Sequence, residues 1–301
     1  MNRFVISFLI LITTSSLSAQ FRWDAGIKAG ASNYLGDLGG KAQSRRNFVS
    51  DMKLAETKMS FGAFARYKLK NEISINTSYN YGRIAGDDKL SANPGRHNRN
   101  LNFRNDIHEL AVQGEYYFYS IEDLGHSYTF QNSFRAYAGF GVAAFHHNPK
   151  AFYKGEWVPL APLRTEGEAK PYSNFGIAIP MTLGIYFTIN KYYRLGWDIC
   201  WRKTFTDYLD DVSTTYAAPS VLPNALSIAL ANRSGELSLP YAVAANYVPQ
   251  SKRGDPTHKD TYIFTTFNFS YVFRGRWFKR SGLASHGRIT TRRKKSIRVK
   301  F

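Results

Sequence analysis

The sequence predicts an all-β fold, an eight-stranded antiparallel up-and-down transmembrane β-barrel with short periplasmic turns and long external loops. Three observations carry this. Apolar residues recur at every second position in eight separate segments. The connections between those segments alternate long and short. Aromatics reach 16%, with 20 Tyr and 22 Phe, a composition suited to strands rather than helices.

The first segment is read as an address. Arg3 supplies a short positive region, residues 4–12 are apolar, and residues 13–19 are small and mildly polar, the layout of a secretory signal peptide spanning 1–19. The apolar run is too short to cross a bilayer as a helix. Cleavage is expected after Ala19, with Ser18 as the alternative, and the absence of a Cys after the apolar run excludes lipoprotein processing. Cys200 is the one cysteine, so the chain cannot form an internal disulfide.

The barrel is expected over 20–273. Its strands are read at 23–30, 59–69, 73–82, 109–118, 134–145, 175–189, 195–202 and 262–273. The sixth is the plainest: Ile177, Ile179, Met181, Leu183, Ile185, Phe187 and Ile189 alternate with small or polar residues. A soluble sandwich also has one-sided strands, so the links decide. Those at 31–57, 84–98, 146–174 and 206–259 are long, and those at 70–71, 120–132 and 190–192 are shorter. Tight turns on one side and large loops on the other are what a membrane barrel requires, whereas a sandwich has no reason to sort its links this way. No later stretch is long and apolar enough for a transmembrane helix.

Eight strands enclose a lumen just wide enough for side chains. Asp24, Lys28, Arg66, Glu72, Glu109, Glu115, Asp198 and Arg202 fall on the polar face and are expected inside, because a charge facing lipid costs about 2–4 kcal/mol at midplane. A lumen filled in this way disfavours a diffusion pore and moves function to the loops or the tail.

The net charge of +18 is uneven: residues 274–301 hold eleven Lys or Arg and no acid, leaving +7 for the rest. This basic tail is expected on the periplasmic side, where Arg274, Arg276, Arg292, Arg293, Lys294 and Lys295 are candidate contacts for acidic lipid or an acidic partner. A solvated, charge-repelled tail is the plain alternative. The compartment offers no nucleic acid. In the longest loop Asp207, Tyr208, Asp210 and Asp211 form a candidate structural motif; oxygen ligation of Ca²⁺ is conceivable there, but EF-hand spacing is absent and aspartates commonly order loops by hydrogen bonding. No metal, cofactor or catalytic residue is expected: there is no Gly-x-Ser-x-Gly elbow and no His-Glu-x-x-His, and His146 and His147, at the top of the fifth strand, are read as solvated or girdle residues. Pro149, Pro159, Pro162 and Pro171 suggest an ordered third loop, and Asn224 is placed to cap a short helix in the fourth.

Six ordered blocks add a resemblance. They are 30–39 (GASNYLGDLG), 79–88 (YNYGRIAGDD), 99–104 (RNLNFR), 145–151 (FHHNPKA), 157–167 (WVPLAPLRTEG) and 204–216 (TFTDYLDDVSTTY). Together they resemble the PorG-type outer-membrane proteins of the Bacteroidetes type IX secretion system, over about residues 25–273. The resemblance implies a non-catalytic component that ties a periplasmic ring of lipoprotein and partner subunits to the outer-membrane bilayer. The basic extension after Phe273 departs from that pattern. The other reading of the barrel is a small OmpA- or OmpW-like protein with a binding or narrow-channel role.

Overall fold

The computed structural model describes residues 23–38, 54–122 and 132–273. The expected leader 1–19, the basic residues Arg274, Arg276, Arg292, Arg293, Lys294 and Lys295, and most of the 120–132 link lie outside the described residues.

Ten strands are formed: β1 (Trp23–Leu35), β2 (Lys58–Lys68), β3 (Ile73–Asp87), β4 (Asn102–Ile121), β5 (Ser133–His146), β6 (Pro149–Tyr153), β7 (Glu156–Pro159), β8 (Phe175–Ile189), β9 (Tyr193–Thr204) and β10 (Thr261–Phe273). Eight of them close a barrel. From β3 the order runs through β2, β1, β10, β9, β8 and β5 to β4, and β4 pairs back with β3. Every pairing is antiparallel, and β1 closes on β10 from Trp23–Phe273 to Leu35–Thr261. All eight expected strands are present. The remaining pair, β6 and β7, is a hairpin inside the third long loop, joined to the upper end of β4 through Arg104–Lys150 and Asn105–Pro149.

Three strands run further than the alternation indicated. β1 continues to Leu35, β3 to Asp87, and β4 begins at Asn102. At β1 the last residues are all buried, which breaks the alternation; on β3 and β4 the reason is an inversion of sidedness. Along the lower part of β4, Glu109, Gln113 and Glu115 are buried inward while Leu110, Val112, Tyr116 and Phe118 are exposed outward. Above His108 the sense reverses: Phe103 and Ile107 point inward and are buried, and Arg104 and Asp106 point outward. β3 does the same, with Ser74, Asn76, Ser78 and Asn80 inside below and Ile84 inside above. A search for one greasy face therefore stops where the greasy face changes sides.

The outward apolar surface is continuous around the barrel, including Ile27, Phe61, Val112, Phe140, Leu183, Leu195 and Phe267. On β4 it spans His108 to Phe118, about 25 Å along the axis at ~3.3 Å per residue and a tilt near 40°. Its lower margin is aromatic. Trp23 packs on Tyr67 at 4.7 Å, Phe134 on Phe187 at 4.9 Å, and Tyr193 on Tyr271 at 5.6 Å.

Inside, rings pack close against glycines of neighbouring strands. The Tyr137 ring crosses Gly184 so closely that a Cβ there would sit 2.5 Å from ring carbon. We expect Gly184→Val to cost about 1–3 kcal/mol by overpacking, seen as loss of the compact, heat-modifiable gel band; unchanged migration and stability would contradict this packing.

Candidate functional site

The lumen and the described parts of the long loops together form the candidate site. From the turn end upward, the lumen carries three layers of paired charge. In the lowest, Arg66 Nε donates to Glu115 at 2.6 Å and Nη1 to Asp24 at 3.1 Å, and Arg194 closes on the other oxygen of Asp24. Ser74 and Asn76 add donors to Glu115 at 2.7 and 2.6 Å. In the middle layer Asp198 accepts from Lys28, Tyr137, Thr266 and Asn268 at 2.5–3.5 Å. In the upper layer Arg202 forks onto Glu109 at 3.1 Å through Nε and Nη2, and Tyr262 and Asn80 donate to the same carboxylate. Seven of the eight charges expected inside are there. Glu72 is not: it sits in the β2–β3 turn and is exposed, because the strand alternation ends before it. Arg194, buried against Asp24, was not among the expected lumen charges; it flanks a short turn at the strand start, where alternation has barely begun.

Above the charged layers lies an apolar one, Leu38, Ile84, Leu101, Phe103, Ile107, Phe145, Leu209, Val212 and Phe264, and the loops close over it as a cap. The segment 204–216 runs through the middle of this cap. Asp211 adopts a left-handed φ of 70°, which sends the carboxylates of Asp210 and Asp211 to different partners. Asp210 accepts from Tyr34 Oη at 2.5 Å, Leu38 N–H at 3.1 Å and Val212 N–H at 2.9 Å. Asp211 accepts from Thr165 at 2.5 Å, Tyr172 at 2.8 Å and Arg253 at 3.3 Å. Asp207 accepts from Ser213 at 2.6 Å, and Tyr208 stacks on Tyr172 with centroids 4.6 Å apart. The four motif residues thus order the loop, their carboxylates engaged by donors of the same chain. Among the described residues no group of three or more His, Cys, Asp or Glu is arranged to hold a metal ion.

The partners come from far along the sequence. Arg253 bridges Glu166 at 2.9 Å and Asp211, and all three side chains are buried. Arg99 grips Asp88 at 2.7 Å and donates to the carbonyls of Asp37 and Arg253. Asn105 holds the Leu209 carbonyl at 2.8 Å. The six quoted blocks contribute Tyr34, Asp88, Arg99, His147, Thr165 with Glu166, and Asp207–Asp211 to one cap; Arg253 and Asp260 lie outside every block and were not singled out. No local spacing could have shown them, since the contacts join residues up to 226 positions apart.

His146 and His147 are not brought together. His146 faces outward against the Phe175 ring at 4.9 Å, while His147 is buried, with Nε2 3.1 Å from the Ser173 carbonyl. Burial lowers His147 to about 4, keeping it neutral. The third loop is ordered as expected, by β6, β7 and a 3₁₀ turn at Ala161–Leu163. The short helix α1 (Ala225–Ala231) has Asn224 as its N-cap, accepting from Ser227 N–H at 2.8 Å.

A protein-family model described as "Domain of unknown function (DUF6089)" matches residues 2–219. No curated protein sequence matches the chain. Among solved structures, it is similar to Ail of Yersinia pestis at 8–9% identity, over 84% of this chain and 99% of that one, with a TM-score of 0.32. It is similar to OprG of Pseudomonas aeruginosa at 11% identity, over 85% and 99%, with a TM-score of 0.36. The N-terminal barrel of OprF of the same organism matches at 8%, over 85% and 100%, with a TM-score of 0.34.

Two predictions follow from the cap. Arg253→Ala strands Glu166 and Asp211 as buried, unmatched carboxylates and should cost about 3–5 kcal/mol, read as new protease cleavage in the loops while the barrel stays folded; an intact cap would refute the pairing. The second concerns pH. Burial raises Asp211 to about 6 against the pull of Arg253. Asp210 and Asp260, which share the Tyr34 hydroxyl, are also raised, by burial first and then by Asp37 beside Asp210 and by Asp210 and Asp207 beside Asp260. The folded cap therefore keeps protons that an unfolded aspartate releases near pH ~4. Between that value and about 6 the folded state binds more protons, so cap stability falls as pH rises through the window and flattens above it for Asp211. Amide exchange in the loops, corrected for its intrinsic pH dependence, should accelerate accordingly, and Asp210→Asn should shrink the effect.

Proposed function

The chain belongs to the DUF6089 family, and we propose that it is an outer-membrane β-barrel that acts by contact, without catalysis and without conducting solutes. The observation that carries this is an apolar belt around the whole outside of a barrel whose inside is already filled by its own paired charges. Monomeric soluble proteins rarely expose contiguous apolar patches beyond a few hundred Å², and a band of roughly 25 Å matches the apolar height of membrane barrels. The inversion of sidedness above His108 supports the same placement, because the sheet becomes apolar-inside as soon as it clears the belt.

Within that reading the finer proposal follows the six-block resemblance: an outer-membrane component of the type IX secretion system, tying periplasmic ring subunits, a lipoprotein and its partner, to the bilayer. The proposed contacts are the turn end of the barrel and the basic residues after Phe273. The filled lumen favours this over a channel; a small OmpA- or OmpW-like barrel that binds a ligand through its loops is the other reading the closed cap supports.

Planar-bilayer recording tests the contact mechanism, with no steady current expected and a stable ohmic conductance overturning it. Leu183→Arg tests the belt: folding into lipid vesicles should lose about 2–4 kcal/mol, whereas a chain that never met lipid would lose almost nothing. Mild crosslinking of cells followed by detergent extraction should recover ring subunits with the barrel; their absence would remove the secretion role and leave the barrel reading standing.

A further inference from the structure

The outer wall of the barrel does not end in uniform polar surface above the belt. On the β3–β4 face and the β6–β7 hairpin it carries a built patch of cations and rings. Cross-strand register puts Arg83 opposite Asp106, Arg104 opposite Lys150, and Phe152 opposite Trp157, all on the outward side. Asp106 is committed to Arg83 at 2.6 Å. Asp87, on the next outward position of β3 above Ala85, accepts from Lys89 N–H at 2.9 Å. Glu156 alternates to the other face of the hairpin from Trp157. Arg104 and Lys150 form no ion pair among the described residues, and Arg104 Nε is buried with no hydrogen-bond partner. The Arg104 guanidinium lies 4.3 Å over the Trp157 ring, which in turn packs against Phe152 at 5.3 Å. This half-buried cation packs on an aromatic face and forms no ion pair, while Asp106, two residues along the strand on the same face, attracts it from further off.

Height identifies the occupant. Arg104 stands four residues above His108, the last outward position of the belt on β4, or about 10 Å along the axis at ~3.3 Å per residue and a tilt near 40°. Long basic side chains reach back toward the headgroup layer from that height, and the layer is several Å deep beyond the hydrocarbon. We propose that Arg104 and Lys150, with Trp157 as their platform, bind the phosphate of a membrane lipid headgroup on the loop side of the bilayer. The inference rests on the membrane reading above: the belt supplies the lipid, and the patch selects its headgroup.

Native mass spectrometry of the full chain folded in detergent micelles tests it, with bisphosphorylated lipid A as probe and the same lipid stripped of phosphate as comparison. The wild type should retain the phosphorylated lipid preferentially. Arg104→Ala with Lys150→Ala should weaken retention roughly thirty-fold, taking about 1 kcal/mol for each cation. Lys150→Glu, which leaves Arg104 on its ring, should weaken it as well, and Lys70→Gln at the opposite rim should change nothing. Equal retention by the double variant, equal binding of the phosphate-free lipid, displacement by free inorganic phosphate, or loss in Lys70→Gln would each overturn the site. Insertion into phosphatidylcholine vesicles is scored separately by gel migration. A chain that inserts but shows no phosphate preference sinks this inference alone; a chain that fails to insert sinks the membrane reading beneath it.

Discussion

Closure is the constraint on which everything else depends. Eight antiparallel strands joined edge to edge leave every side chain either inside a narrow cylinder or outside it, with nothing between. Asp24, Glu109, Glu115 and Asp198 are buried in that cylinder, so each must meet a cation or several neutral donors of the same chain. Arg66, Arg194, Lys28 and Arg202 supply the cations, and serines, asparagines and tyrosines of neighbouring strands fill the remaining acceptor sites. The result is a solid core made of ion pairs where a soluble protein has aliphatic side chains.

The same chain then changes character part-way up. Below His108 the outside is apolar and the inside charged; above it Ile84, Phe103, Ile107 and Phe145 form an ordinary greasy core and the outside carries Arg83, Arg104 and Asp106. One barrel thus contains two folding regimes stacked end to end. The cap belongs to the upper one. Its buried pairs, Arg253 with Glu166 and Asp211, and Arg99 with Asp88, fasten long loops that have few strand hydrogen bonds of their own. Such pairs fill the upper end, and the pairs of Arg66 fill the lumen near the other.

Legibility followed that division. The strands of the lower barrel were readable from period two, and seven inward charges followed from it, because a face that is apolar at every second residue leaves the charges to the other face. Glu72 escaped because a turn has no faces. The upper ends of β1, β3 and β4 were not readable: at β1 residues 33–35 are all buried, and at β3 and β4 the greasy face switches sides. The acidic motif of the fourth loop stood out in the sequence, whereas its partners Thr165, Tyr172, Glu166 and Arg253 did not.

By itself the sequence determined the number of barrel strands, the sorting of long loops to one end, the filled lumen, Asn224 as a helix cap and the basic run after Phe273. These depend on alternation, on local hydrogen-bonding preference and on composition, all of which act over a few residues. Only the tertiary structure decided which charges pair, that the loops meet in one cap, that His146 and His147 part to opposite faces, and that Arg104 comes to rest on Trp157. Those contacts join residues as far as 226 positions apart or hinge on which side of a closed sheet a residue falls, and proximity of that kind is created by folding rather than written in neighbouring letters.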